Sequence, residues 1–147
     1  MGREDSMAAA GFILAKQDRA PAYGVLGEEI QVIASGEETE GYEIFVQKGG
    51  PGMGPPPHAH GWDESMYILA GEVELGVGDE ARVCGPGALA FIPAGTPHWY
   101  RFVTDGEILS VTSRLGASRF FRQVDRNDAE RTIAAAADHG VTLHAAA

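Results

Sequence analysis

The chain has 147 residues, 44% hydrophobic and 22% charged, with 11 basic against 21 acidic side chains and a net charge of −10. That is enough for one domain with a real core, in the composition range of water-soluble globular proteins. An acidic surface repels phosphate backbones, which argues against nucleic acid as a partner, and no apolar stretch is long enough to span a bilayer, which argues against a membrane.

Twenty glycines and eight prolines favour many turns over long helices. Residues 1–11 read as a flexible N-terminus. Met7 to Ala15 is apolar but follows Glu4 and Asp5. A secretory signal would open on basic residues, so the run reads as an arm and a cytoplasmic location is expected. Phe12-Ile13-Leu14 reads as a short strand or part of that arm. Glu29–Ala34 and Tyr42–Gln47 are β-rich runs bounded by glycine and acidic turns. Gly49–Pro57 is a loop. Ser65–Ala70 and Glu72–Val77 read as strands joined at Gly71. Arg82–Cys84, Ala88–Ile92, His98–Val103 and Glu107–Ser113 continue the series. Short strands at this spacing predict an all-β sandwich or barrel.

The C-terminus differs. Asp128–Asp138 reads as one helix, with Asp125 or Asn127 as its cap and Gly140 as its stop. Its apolar content is mostly alanine plus Ile133, which predicts packing outside the barrel or against a partner subunit. The single cysteine, Cys84, has no internal partner and reads as a buried structural thiol. No repeat or interdomain linker is visible. The division is therefore a flexible 1–11, a barrel with its arm over 12–124, and a helix and tail over 125–147.

The chemistry concentrates in two short segments. His58-Ala59-His60 is followed by Glu64, and His98 lies further on. Imidazole nitrogens and a carboxylate oxygen are ligands for a divalent transition metal. On a strand, His58 and His60 point to one face, a turn can return Glu64 to it, and a neighbouring strand must supply His98. Three imidazoles and a carboxylate would leave a coordination position open, the mark of a catalytic site. His139 and His144 lack partner ligands and read as ordinary polar residues. Asp63 reads as a solvated turn carboxylate.

These residues resemble the two motifs of the cupin superfamily. Gly52, His58, His60, Glu64 and Gly71 fill every fixed position of the first. Gly87, Pro93, Gly95 and His98 match the second, while Phe102 stands where the family pattern has asparagine. The two motifs span about a third of the chain. Thr112-Ser113, Phe120-Phe121 and the C-terminal helix are more loosely similar to single-domain, quercetinase-like cupins. The resemblance implies a double-stranded β-helix, or jelly-roll barrel, with a short C-terminal helix. It implies His58, His60, Glu64 and His98 as ligands of a divalent ion (Ni, Mn, Fe, Co, Cu or Zn), with Glu64 also able to act as a base. It also implies a homodimer, which fits the open sheet edges of such a barrel.

Parity extends the site. If His98 faces inward, Tyr100 and Phe102 share its face, while Trp99 and Arg101 face out. If Glu64 faces inward, so do Met66 and Ile68. Met66, Ile68, Tyr100 and Phe102 would then make an apolar pocket, with Tyr100 the one member able to donate a proton. Such a pocket suits a flat or hydrophobic small molecule better than a small dicarboxylate. The expected function is a metal-dependent dioxygenase acting on an enolisable or aromatic small molecule. The alternatives are a non-oxidative cyclase, isomerase or lyase, and a small-molecule-binding barrel without turnover.

Overall fold

A computed structural model describes residues 9–113, 117–124 and 129–143. In chain order the elements are β1 (Tyr23–Val25), β2 (Glu28–Ala34), α1 (Gly36–Thr39), β3 (Tyr42–Gly49), β4 (His58–Ala59), β5 (Glu64–Ala70), β6 (Val73–Val77), β7 (Glu80–Cys84), β8 (Leu89–Ile92), β9 (His98–Phe102), β10 (Gly106–Ser113), α2 (Ala117–Val124), α3 (Ala129–Asp138) and β11 (Thr142–Leu143). The expected strands are present within a few residues of their predicted bounds. Phe12–Leu14 forms no strand and stands exposed. The expected flexible residues 1–8, the caps Asp125 and Asn127, and His144 lie outside the described residues.

The strands form two antiparallel sheets. One runs β1-β2-β3-β10-β5-β8 and the other β11-β4-β9-β6-β7. Strand β10 pairs with both β3 and β5, so segments more than sixty residues apart become neighbours (Ser113 opposite Tyr42). The result is the all-β double-stranded β-helix. Alternation drives it: β9 reads His-Trp-Tyr-Arg-Phe, with His98, Tyr100 and Phe102 buried and Arg101 exposed.

Two apolar clusters fill the molecule. Met66, Ile68, Val73, Leu75, Ile92, Phe102 and Ile108 pack between the sheets. Phe102 explains its own presence there, since its ring lies over the facing pair Gly49 and Gly106. A Cβ on either glycine would come within 2.5 or 2.9 Å of that ring. Cys84 is half-buried against this cluster.

The second cluster corrects the expected position of the C-terminal helix. Val25, Ile30, Phe45 and Trp62 of the barrel pack against Ala117 and Phe121 of α2 and Ala135 and Ala136 of α3. The helices therefore cover one mouth of the barrel from the same chain. Helix α2 falls within the span assigned to the barrel, whose last strand before it ends at Ser113. Alanine is the reason α3 fits: Ala135 and Ala136 let its backbone pack close against α2 over this cluster, where a larger residue would hold it away. Glu43, wholly buried on β3, fastens the arrangement. Its carboxylate accepts from the Gly36 N–H (2.9 Å), the Ser118 N–H (3.1 Å) and the Ser118 hydroxyl. One carboxylate thus serves the first turns of both α1 and α2, where orphan N–H groups await an acceptor. The tail then returns as β11, with Leu143 opposite His58 and Thr142 opposite Ala59.

Candidate metal centre

His58 lies on β4 directly opposite His98 on β9. His60 follows two residues after His58, just beyond the strand, and Glu64 opens β5. The loop before them is pressed onto β9: a Cβ at Gly54 would stand 1.9 Å from the Tyr100 carbonyl oxygen. No side chain is possible there, so this approach requires glycine. Asp63 is exposed yet engaged: its Oδ1 accepts from the Ala94 N–H at 2.8 Å, and its own N–H donates to the Ser113 hydroxyl at 3.0 Å. It thereby fixes the start of β5 against both neighbours.

One donor atom from each of His58, His60 and His98 lies within 4.8 Å of the others, so the three imidazoles could hold a metal ion. Their orientation is set from behind. Nδ1 of His58 meets the Pro56 carbonyl at 2.9 Å, that of His60 the Trp62 carbonyl at 3.0 Å, and that of His98 the Thr96 carbonyl at 2.9 Å. A carbonyl only accepts, so each Nδ1 carries the hydrogen and each Nε2 is left with its lone pair. That is the tautomer a metal-binding histidine needs.

The Nε2 side is where the site is chemically incomplete. His98 Nε2 is buried with no hydrogen-bond partner. Glu64 Oε1 lies 3.0 Å from His60 Nε2 and 3.5 Å from His98 Nε2. Lone pairs facing each other at 3.0 Å repel unless a proton or a metal ion stands between them. The donor set, three nitrogens and one oxygen, suits a divalent transition ion. The residues present therefore fit a metal, with the Glu64 carboxylate beside two of the three imidazoles.

Electrostatics agree. Burial holds His58 down to about 4, helped by the neighbouring His98, so it stays neutral and able to ligate. Burial of Glu64 opposes its charge, yet with a proton on the facing Nε2 of His60 or His98 its carboxyl is brought down to about 2, so it stays anionic.

The cluster opens into a cavity of about 260 Å³. Of the four residues expected to ring it, Met66 and Tyr100 do. Ile68 and Phe102 do not: both are wholly buried in the apolar cluster between the sheets. Each second residue along a strand climbs roughly 7 Å, which carries these side chains past the site into the closed part of the barrel. The missing walls come from Phe45, Trp62 and the C-terminal helices, through Ala117, Phe120, Phe121, Thr132 and Ile133. The Trp62 ring stacks on His60 at 4.3 Å, with 8° between the planes. Phe45 and Phe121 meet edge to face at 4.9 Å. Among the described residues no lysine or arginine lines the cavity.

One lining residue escaped the sequence reading. Glu28, 3% exposed, accepts the Tyr100 hydroxyl at 2.7 Å. Behind the pair, Gln47 Nε2 donates to the Tyr100 oxygen at 3.4 Å, and Ser110 donates to Gln47 Oε1 at 2.9 Å. Burial pushes the Glu28 carboxyl up to about 7, against the lowering effect of the Tyr100 hydrogen bond. Burial likewise holds the Tyr100 hydroxyl well above its usual range. Its proton is committed to Glu28 and is not free for a ligand. The signal was parity: Glu28 shares the face of Ile30, but a strand begun at Glu29 leaves it outside.

Comparison with known proteins gives a consistent picture. The family profile described as the cupin domain matches residues 45–112. The chain is 40% identical over 72 residues to quercetin 2,3-dioxygenase of Bacillus subtilis (strain 168), a match covering 48% of this chain and 21% of that protein. The chain thus aligns with only about a fifth of that relative's length. Among solved structures, KdgF from Halomonas sp. superposes with a TM-score of 0.65 at 21% identity, over 71% of this chain and 94% of its own. The polyketide cyclase RemF from Streptomyces resistomycificus gives 0.61 at 21% identity, over 71% and 80%. At these identities the structures are similar in fold.

Proposed function

Since the chain is a member of the cupin superfamily, we propose that it is a metal-dependent enzyme acting on a flat, largely apolar small molecule that carries an enol or phenol oxygen. Oxidative cleavage by O₂ is the reaction we favour. One observation carries the reading: three imidazole lone pairs and a carboxylate converge on the floor of an aromatic cavity that no described cationic side chain lines. Among the described residues an anionic substrate such as a dicarboxylate would find no arginine or lysine to pair with, and would meet Glu28 and Glu64. A neutral aromatic molecule finds Trp62, Phe45 and Phe121. The 40% identity to a quercetin 2,3-dioxygenase supports the same class.

His58, His60, His98 and Glu64 would hold the ion, which supplies a positive centre for an enolate or phenolate oxygen. The remaining work belongs to the chain. The three backbone carbonyls keep each ring in its ligating tautomer. Trp62 and Phe121 present apolar surface to the cavity and exclude water, which strengthens each polar contact in it. Glu64 stays anionic as a fourth donor.

Oxygen uptake with quercetin and simpler flavonols, measured after loading with Mn, Fe, Co or Ni, tests this. Uptake with at least one ion, lost in His98→Ala, is expected; no uptake with any of them sinks the oxidative reading. The buried Glu28–Tyr100 pair favours a second reading, proton-transfer chemistry without oxygen, in which the ion acts only on a carbonyl. Turnover that persists under anaerobic conditions would select it.

A further inference from the structure

The cavity contains a second carboxyl that the metal-site residues do not use. Glu28 reaches in from the start of β2 and meets the Tyr100 hydroxyl at 2.7 Å on the wall of the same cavity. Tyr100 follows His98 by two residues on the same buried face of β9, so the residue that Glu28 meets is one alternation step from a candidate ligand. A molecule with an oxygen at the histidines therefore shares the cavity with the Glu28 carboxyl.

Glu28 is also placed to act rather than merely to pack. A buried carboxyl is costly unless it is well hydrogen-bonded. Its one side-chain partner among the described residues is Tyr100, on one oxygen. Tyr100 in turn is fixed by Gln47, and Gln47 by Ser110, so the pair has a single geometry. Glu64, by contrast, is engaged with two imidazoles. The titratable groups that face Glu28 are Tyr100 and His98 from β9, Glu64 from β5, and His58 and His60 from the β4 segment. Strand β1 brings only Val25 opposite it.

We propose that Glu28 is the proton-exchanging carboxyl of this pocket, taking the proton from a hydroxyl of the bound phenol or enol and returning it to the product. The O–H bond breaks, its electron pair stays on the ligand oxygen, and the proton forms a new O–H bond on the Glu28 carboxylate. Tyr100 holds the other carboxylate oxygen throughout. No oxidant or reductant takes part, so the step serves the oxidative and the non-oxidative reaction alike. The inference rests on the reading that the cavity binds such a molecule.

The test uses 3-hydroxyflavone with the metal-loaded 147-residue chain at pH 8 without oxygen, where no turnover interferes. The flavonol's absorption reports whether it binds and becomes its anion. Infrared difference spectra report the carbonyl stretch of a newly protonated carboxylic acid. In wild-type protein, anion formation is expected to bring in one such band per chain. In Glu28→Gln the band is absent and the anion forms roughly 100-fold more slowly, the scale of a lost general base. Glu28→Asp keeps a band at altered frequency, and Tyr100→Phe shifts the band without removing it. A wild-type anion without the band, or a band that survives in Glu28→Gln, overturns the assignment to Glu28 while leaving the functional reading intact. A flavonol that never binds overturns the functional reading, and this inference with it.

Discussion

At the scale of single residues, the two buried glutamates of the cavity respond oppositely to their surroundings. Glu64 is held anionic by imidazoles, while Glu28 has one phenol for company and is pushed up to about 7. A folded-state value raised from 4.5 to about 7 means that Glu28 stabilises the fold fully below pH 4.5. That contribution is lost as pH rises through 7. At about 1.4 kcal/mol per pH unit, the change amounts to about 3 kcal/mol. His58 works the other way: its depressed value costs stability as pH falls from 6.5 through about 4. The wild-type profile mixes both, so the measurement is the difference between wild type and Glu28→Gln in chemical denaturation at pH 5 and pH 8. Wild type should lose about 2.5 kcal/mol relative to the variant over that interval. At the metal end, His98→Ala should weaken ion binding, read by elemental analysis after dialysis, by more than the roughly 10- to 100-fold typical of outer hydrogen-bond partners.

At the scale of elements, the site is built by β4, β5 and β9 and closed by α2 and α3. Phe121 joins the two, packing on Phe45 at 4.9 Å while lining the cavity. Phe121→Ala should cost about 3 to 5 kcal/mol in unfolding free energy. It should also make Trp62 more accessible to a neutral quencher, which separates lost packing from lost closure. The ligand strands were legible because period-two alternation and the H-x-H spacing are local signals. Glu64 and His98 came within reach through the same parity. Ile68 and Phe102 were misplaced because parity fixes a face but not a depth along the barrel. The helical walls were missed for a different reason. Whether an alanine-rich helix lies outside or over the mouth depends on contacts such as Glu43 with Ser118, seventy-five residues apart in sequence, which no local pattern encodes.

At the scale of the whole molecule, apolar surface remains on the outer face of the six-stranded sheet. Tyr67 and Leu89 are cross-strand partners there, and Phe91 is 56% exposed on β8 at the sheet's edge. Phe12 and Ile13 of the arm are exposed as well. We propose this face as the surface on which two copies of the chain meet. Light scattering should then give twice the 15.5 kDa chain mass, and Phe91→Glu should return it to one; a wild-type monomer removes the proposal.

The pairing of β11 with β4 has a practical corollary. Leu143, the last described residue, lies opposite His58, beside the strand that carries a candidate ligand. A polyhistidine purification tag fused there would bring six further imidazoles to the rim of the cavity. It would compete for the ion in elemental analysis and strain the short strand that seats His58. Metal stoichiometries are best taken from protein tagged ahead of the exposed arm, or from protein whose tag has been cleaved.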